Sequence, residues 1–523
     1  MLFNSSEFIF LFLPITLFVF LLLGRGGYYK VAIAWLTSVS LFFYGWWDVS
    51  YLTLLVISIL FNYFVGVILS NRQIIIFKPK FWLIFGILVN LCLLGYFKYA
   101  NFTLTSINSV FKTSFHLPTI ILPLAISFFT FNQIAYLVDA YRGEAQEHNL
   151  LKYCLFITFF PHLIAGPVVH HKEMIPQLDQ KWLYRLNSED LAVGVTIFSL
   201  GLFKKVIFAD SIATYANPVF HAATQGAQLT LFQAWAGAIA YSLQLYFDFS
   251  GYSDMAIGAA RMFGIKFPLN FNSPYKAVNI IDFWRRWHMT LSRFLKDYLY
   301  IPLGGNRKGP RRRYLNLMIT MLLGGLWHGA GWNFIIWGGL HGVYLVINHQ
   351  WHSFRKALGH DLKKSSLWSR ALACLLTFLA VVIAWVFFRA NNMNAALAII
   401  KSMSGVAEVS HINSFPTQIP LMRDWMQQTD PVIHATRLSI VIQIILLLLI
   451  VWTTPNTQEW MRKHNPAIDY QESYSSSNFN ISIWHKLQWR PNLIFSIITS
   501  ILIFISIKTF LSAPESEFLY FNF

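Results

Sequence analysis

The sequence predicts an all-α protein that crosses a membrane many times. Of its 523 residues, 56% are hydrophobic and only 12% are charged, whereas soluble domains carry about 25% charged residues. Long apolar runs recur, each close to the roughly 20 residues that a helix needs to cross a bilayer. Because the runs are continuous rather than alternating, they predict membrane helices and not strands of a membrane barrel. The runs are 8–23, 31–47, 51–70, 81–97, 119–138, 189–203, 230–247, 367–388, 437–453 and 493–507.

We expect about ten to thirteen membrane helices, with additional re-entrant or interfacial helices. The net charge of +17 is explained by topology, because cytoplasmic loops of membrane proteins are rich in Lys and Arg. No nucleic-acid partner is expected. Basic residues follow alternate runs, which predicts that the N-terminus and the C-terminus are both extracytoplasmic. These residues include Arg25, Lys30, Lys204, Lys205 and the basic loop 304–313.

Composition predicts four parts along the chain. The region 240–350 differs from the rest, since glycine, proline and charge break its apolar runs. Irregular backbone at membrane depth is tolerated only where protein or a water-filled cavity covers it, so we expect the functional site there. The four parts are N-terminal membrane helices (1–118), a catalytic core (119–350), C-terminal membrane helices with polar loops at 389–436 and 454–491 (351–511), and an aromatic tail (512–523).

A glycine-rich apolar stretch, "LGGLWHGAGWNFIIWGGLHG" at 323–342, contains two histidines. Ionisable residues inside a membrane are costly and usually functional, and a neutral imidazole can act as a general base. His328, beside Trp327, is therefore a candidate catalytic residue. The surrounding glycines admit either a ligand or a closely packed helix. His341 and Trp327 are predicted to support the site rather than to react.

A second histidine-bearing stretch is "IIDFWRRWHMTLSRFLKDYLY" at 280–300. At helical spacing Trp284, His288 and Leu291 share one face, which predicts a single interfacial or re-entrant helix packed on the bundle. His288 is either a satisfied core histidine or a group that faces a cavity.

Two further stretches are unusual for membrane helices. Asp248 and Asp254 lie at the edge of the run 230–247, and Pro161 and Pro167 break another run. Each stretch either lines a channel through the protein or forms a helix cap or turn. Asp248 is a possible supporting residue of the site, whereas a cap or turn is the favoured interpretation for Asp254. No metal site is predicted, because the three cysteines show no paired spacing.

Several of these stretches together resemble the membrane-bound O-acyltransferase (MBOAT) superfamily, and within it the membrane subunit of alginate O-acetylation. They occur in the family's order between about residues 120 and 345. The matching stretches are "LPLAISFFTFNQIAYLVDAYRGE", "FFPHLIAGPVVHH", "YFDFSGYSDMAIGAARMFGIKFPLNFNSPY", "DFWRRWHMTLSRFLKDYLYIPLGGNRKG" and "LWHGAGWNFIIWGGLHG".

The resemblance implies a helical bundle with a central tunnel and an outer funnel, in the inner membrane of a bacterium. It implies catalytic roles for His328 and His288, with His328 as the base. The expected donor is a cytoplasmic thioester, either acetyl-CoA or an acyl carrier protein, and no tightly bound cofactor is expected. The expected partners are membrane lipid, a polysaccharide acceptor and an extracytoplasmic SGNH-type acetyltransferase. The basic loop 304–313 either contacts this donor or only sets topology.

The tail ends in "FLYFNF", an aromatic motif that is similar to C-termini of this branch. It is either an interfacial anchor or an acyl relay, in which Tyr520 takes the acyl group on its phenol oxygen.

The leading interpretation is O-acetylation of an exported polysaccharide such as alginate. One alternative keeps the chemistry and changes the acceptor to peptidoglycan, another envelope polymer or a lipid. A second alternative is a transporter of polysaccharide precursors, although the sequence shows no internal repeat of the kind that many transporters have.

Overall fold

The computed structural model describes residues 1–46, 48–71, 78–118, 120–145, 149–361, 366–405, 431–468, 487–512 and 516–519, with backbone alone for 431–437. Within these ranges the protein is helical, as predicted, and β structure is limited to an isolated bridge between Pro268 and Ile468. The α-helices are Leu13–Arg25, Tyr29–Gly45, Ser50–Ser70, Pro79–Leu94, Ala100–Phe111, Ile126–Arg142, Leu150–Thr158, Phe160–Leu163, His171–Leu178, Ser188–Phe203, Asp210–Thr224, Leu231–Met262, Ile280–Trp284, Met289–Leu295, Gly309–His328, Trp332–Ala357, Leu367–Arg389, Met393–Met403, Pro431–Thr453, Thr457–Trp460 and Leu493–Ser512. The π-helices are Phe8–Phe12, Gly95–Tyr99, Lys204–Ala209 and Lys296–Tyr300, and the 3₁₀-helices are Lys181–Tyr184, Pro274–Lys276 and Arg462–His464.

Among the described residues, six helical segments are long and apolar enough to cross a membrane. This confirms a membrane-embedded, multi-pass protein. The total of about ten to thirteen crossings stays a prediction, because other long helices carry polar side chains into the bundle. The six segments are Phe8–Arg25, Ser50–Ser70, Pro79–Phe111, Ser188–Thr224, Leu367–Arg389 and Leu493–Ser512.

The helix Leu231–Met262, called the central helix below, organises the bundle. Its 32 residues correspond to a length of about 48 Å at 1.5 Å per residue. Thr230 begins it with a capping box, in which its side chain and that of Gln233 bond each other's backbone N–H groups. Every residue from 240 to 262 is buried.

Glycines let the central helix pack directly on the helix Ser188–Phe203. A Cβ atom on any of four glycines would overlap the backbone of the facing helix. Small residues of this kind let membrane helices approach closely, where dispersion contacts and weak hydrogen bonds stabilise the pair. The four are Gly194, Gly201, Gly251 and Gly258.

The prediction of one continuous helix over 280–300 is wrong. The helix Ile280–Trp284 ends, and a new helix begins at Met289. Between them His288 adopts the left-handed conformation, with φ 44° and ψ 52°, which costs about 1–3 kcal/mol in a non-glycine residue. The backbone N–H of Met289 donates to the carbonyl of Asn270 at 2.9 Å, a tertiary contact that holds the turn. Helical spacing alone does not anticipate this break, since no glycine or proline marks it.

Lys204 and Lys205 are not loop charges that report topology, contrary to the sequence-based prediction. They begin a π-helix inside the bundle and pair with carboxylates of the central helix. Lys204 contacts Asp254 at 2.6 Å, and Lys205 contacts Asp248 at 2.7 Å. Asp254 is therefore not a cap or a turn residue. It lies within the central helix and also accepts from Gln458 at 2.9 Å.

Candidate active site

His328 ends the helix Gly309–His328, called the His328 helix below, and its side chain is buried. Three aromatic rings surround the imidazole, with centroid distances of 4.8 Å to Trp327, 5.0 Å to Trp337 and 5.2 Å to Phe388. The imidazole is therefore held in an aromatic pocket within the bundle and not at a lipid-facing surface.

Glycines near His328 serve helix packing. A Cβ atom on Gly325 would overlap the backbone carbonyl of Phe334, and one on Gly338 would overlap that of Met321. The His328 helix and the helix Trp332–Ala357 can therefore lie in direct backbone contact. Of the two interpretations that the sequence left open for these glycines, the structure favours helix packing at Gly325.

His288 is fully buried, and Asn270 orients its ring. Nδ1 of His288 lies 3.0 Å from Oδ1 of Asn270, whose Nδ2 donates to the hydroxyl of Ser253 at 3.0 Å. The hydroxyl of Thr290 donates to the same Oδ1 at 2.9 Å. Because an amide oxygen only accepts, Nδ1 carries the proton and Nε2 keeps its lone pair. His288 is thus prepared to accept a proton or a hydrogen bond.

We predict that Asn270→Ala lowers the kcat of the expected acyl transfer by about tenfold to a hundredfold, the range expected when a buried hydrogen-bond partner is removed. The imidazole would lose the acceptor that fixes its tautomer. The measurement is the initial rate of thiol release from an acetyl thioester by the solubilised protein. Ser253→Ala is a graded comparison and should lower the rate less, because it removes the hydroxyl at the amide nitrogen of Asn270 and leaves the oxygen that contacts His288. Equal rates in the Asn270 variant and the wild type would contradict the assigned role.

The structure brings His328 and His288 together, although they lie on different helices. Their ring centroids are 6.5 Å apart, with ring planes inclined at 55°. The two imidazoles are therefore neighbours inside the bundle. The indole of Trp327 lies 6.3 Å from the ring of His288 and 4.8 Å from that of His328.

His341 lies one layer away from this pair. The ring of Trp337 stands between His341 and His328, with centroid distances of 4.9 Å to His341 and 5.0 Å to His328. Nδ1 of His341 accepts a hydrogen bond from the indole N–H of Trp284 at 3.3 Å. His341 therefore supports the aromatic wall behind His328 and does not face His288.

A cavity of about 240 Å³ reaches His328. Trp327, His328 and Lys98 line it together with Asp48 and Glu517. The cavity thus joins the imidazole to two carboxylates in segments that the charge pattern predicts to be extracytoplasmic. Its volume accommodates a small acyl group and part of an acceptor.

The described part of the tail, residues 516–519, packs on the bundle through the buried side chain of Phe518. Phe518 is 2% exposed, and its ring stacks on Tyr252 at 4.4 Å and packs on Phe249 at 5.6 Å. Phe249 in turn contacts the ring of His288 at 4.7 Å. The tail therefore reaches the layer of aromatic residues next to the histidine pair. Tyr520 lies outside the described residues.

A buried charge cluster, Lys205 with Asp210 and Asp248, holds the tail. The ammonium of Lys205 lies 2.7 Å from each carboxylate and donates to the carbonyl of Glu517 at 3.2 Å. The hydroxyl of Ser516 donates to Asp210 at 2.6 Å, and the backbone N–H of Leu519 donates to Asp248 at 3.1 Å. Asp248, a candidate supporting residue, is thus placed at the tail and not among the rings around His328.

Three residues of this arrangement were not predicted from the sequence: Lys98, Asn270 and Lys205. Lys98 follows directly on the apolar run 81–97, and a lone lysine at such a position is a signal that was available. Asn270 lies between helices, where no periodicity applies, and its role depends entirely on tertiary contact. For Lys205, the sequence instead predicts a basic residue that marks the cytoplasmic end of an apolar run.

Within the described residues, no group of three or more His, Cys, Asp or Glu side chains is placed to hold a metal ion. The basic loop predicted at 304–313 includes several exposed side chains. Residues 309–313 of this stretch begin the His328 helix, so Arg311, Arg312 and Arg313 are helical and not loop residues.

Comparisons with known proteins give the chemical class. The chain is 49% identical over 439 residues to the peptidoglycan O-acetyltransferase of Helicobacter pylori, covering 78% of this chain and 81% of that protein. It is 44% identical over 421 residues to a "Probable alginate O-acetylase AlgI" of Pseudomonas aeruginosa, covering 79% and 77%. It is 30% identical over 287 residues to the teichoic acid D-alanyltransferase of Streptococcus thermophilus, covering 51% and 68%.

These relatives confirm the predicted acyltransferase and do not support the transporter alternative. Residues 139–395 match the family model described as "MBOAT, membrane-bound O-acyltransferase family". This range includes His288 and His328. Together with the extended similarity to O-acetylating enzymes, the match shows that the chain belongs to the membrane-bound O-acyltransferase family.

Proposed function

We propose that the protein passes an acetyl group from a cytoplasmic thioester across the membrane for O-acetylation of an exported polysaccharide. The facing of His328 and His288 across 6.5 Å is the observation that carries the proposal. Acyl transfer to an alcohol needs a base for the hydroxyl proton, and His328 lines a cavity large enough for the reacting groups. The donor is acetyl-CoA or an acetylated carrier protein.

In the proposed reaction the hydroxyl oxygen attacks the carbonyl carbon of the thioester while its proton passes to His328. The tetrahedral intermediate collapses, the C–S bond breaks, and the leaving thiolate takes the proton back from His328. His288, the second imidazole of the pair, orients the acceptor or the thioester. No serine or cysteine nucleophile of the bundle takes part in this scheme.

We further propose that Tyr520 is the hydroxyl that attacks first. The burial of Phe518 and the hydrogen bond from the backbone N–H of Leu519 to Asp248 support this role, because these contacts hold the two residues before Tyr520 against the bundle. A phenol has a pKa near 10, so an adjacent base makes it a usable nucleophile. The resulting phenyl ester stays activated, and a second attack by an acceptor hydroxyl regenerates the phenol.

The extracytoplasmic partner in this proposal is an SGNH-type acetyltransferase that receives the acetyl group from the tail. The protein would lie in the inner membrane of a bacterium with both termini outside. The shared cavity of Asp48 and Glu517 supports this orientation, since the charge pattern independently predicts an external position for both segments.

Measuring ester-linked acetate separately in exopolysaccharide and in peptidoglycan tests the acceptor. The cells compared lack the protein or carry the full chain. We expect acetate to disappear from the exopolysaccharide and to return with the full chain. Loss from peptidoglycan alone would establish the alternative acceptor, which the H. pylori relative favours as strongly as the P. aeruginosa relative favours alginate.

A further inference from the structure

Lys98 is a buried lysine next to the proposed base. It lies in the π-helix Gly95–Tyr99, its side chain is 8% exposed, and it lines the cavity of His328. Burying an ammonium in a membrane bundle is costly, so such a residue is retained for a function or has strong partners. Among the residues that the structure describes, Lys98 has three such partners, and none of them is a carboxylate.

The ammonium donates to the last two backbone carbonyls of the His328 helix. Its Nζ lies 2.5 Å from the carbonyl of Trp327 and 3.3 Å from that of His328, and it donates to the hydroxyl of Ser127 at 3.3 Å. An ammonium has three N–H groups, and these three acceptors account for all of them. Two of the three acceptors are backbone carbonyls, so Lys98 is arranged to hold the end of the His328 helix.

The neighbouring residue continues the same function. The hydroxyl of Tyr99 donates to the carbonyl of Leu326 at 2.8 Å. The last four carbonyls of a helix have no partner within the helix, and Gly329 continues the chain in an extended conformation. Lys98 and Tyr99 together bond the carbonyls of residues 326–328, and the positive charge also stabilises the negative end of the helix dipole.

We propose that Lys98 is a positioning residue for acyl transfer, which clamps the end of the His328 helix and thereby fixes His328 relative to His288. This inference rests on the proposed function of His328. It assigns Tyr99 a weaker part in the same clamp. The clamp would govern the turnover step more than donor binding, because the groups that the ammonium bonds belong to the protein and include the end of the His328 helix.

The test compares Lys98→Met, Lys98→Arg and Tyr99→Phe in the solubilised full chain. Thiol release is followed with acetyl-CoA, or with an acetylated carrier protein if the wild type turns over only that donor, and water takes the acetyl group as acetate. For Lys98→Met we expect kcat to fall about tenfold to a hundredfold with little change in KM, as for loss of a charged hydrogen bond. Lys98→Arg should restore part of that loss, since it keeps a cation. Tyr99→Phe should lower kcat a few-fold.

Lys112→Met is the matched control, because it removes an exposed lysine at the end of the next helix. Wild-type kcat in a folded Lys98→Met protein would overturn the proposal, and so would a rise in KM alone. If Lys98→Met does not fold, wild-type kcat in Tyr99→Phe would overturn it. His328→Ala is measured beside them: its retained turnover would refute the proposed function, whereas its inactivity together with full turnover in Lys98→Met would refute only the clamp.

Discussion

Cells carrying Tyr520→Phe are expected to lose O-acetylation of the acceptor polymer while the protein stays at its normal level in the membrane. The variant keeps the aromatic ring and removes only the oxygen that would carry the acetyl group. Ester-linked acetate in the isolated polymer is the measurement, with membrane abundance determined on the same cells. If the phenol is an obligatory relay, the remaining acetylation should be at background.

Truncation after residue 517 tests the same tail more severely. Removing residues 518–523 should also abolish acetylation, but it additionally removes Phe518, which packs on Tyr252. Comparison of the two variants separates a chemical role of Tyr520 from a packing role of the tail. Normal acetylation in the truncated protein would refute the relay. Normal acetylation in Tyr520→Phe combined with its loss on truncation would leave the tail a structural element.

His328→Ala is expected to lower the rate of acyl transfer by about a hundredfold to ten-thousandfold, the usual contribution of general acid–base catalysis. His288→Ala should cause a comparable loss, because the proposed reaction uses both imidazoles. Residues that act as a unit give non-additive losses, so the double variant should be scarcely slower than the worse single variant. The measurement is thiol release per molecule of folded, solubilised protein.

His360→Ala is the control for this series, since His360 is exposed at the end of a helix and lies outside the site. Additive losses in the double variant would contradict a shared reaction site and would indicate that the two histidines act in separate steps. Unchanged thiol release in His328→Ala would require a different base.

The sequence predicted the class of fold and the main candidate residues of the site. The fold follows from the length of the apolar runs, whereas the candidate residues follow from the family resemblance. Continuous apolar runs report membrane helices because the bilayer has a fixed thickness, and that prediction is confirmed. The family resemblance marked His328 and His288 as a pair, and the structure places their rings 6.5 Å apart. Helical spacing alone predicted the wrong path around His288, since the break there depends on a contact with Asn270 from another part of the chain.

Buried polar contacts were the least predictable feature. Lys205 is adjacent to Lys204 in a short basic pair, and such a pair is what a cytoplasmic loop would also contain. Its partner Asp248 lies on another helix, so nothing local distinguishes a buried ion pair from a loop charge. Lys98 is different, because alternation of the apolar runs from an outer N-terminus predicts that the end of the run 81–97 lies outside, where the positive-inside rule does not favour a lysine. Only the tertiary structure shows that it bonds the carbonyls of Trp327 and His328.

The most direct test measures ester-linked acetate on the exported polymer in cells that carry His328→Ala at normal membrane abundance. It decides whether the imidazole of His328 performs acyl transfer. If His328 is the base, the acetate falls to the level of cells lacking the protein, while His360→Ala retains the wild-type level. Wild-type acetate in His328→Ala would contradict that role and would make His328 a packing residue within its aromatic pocket.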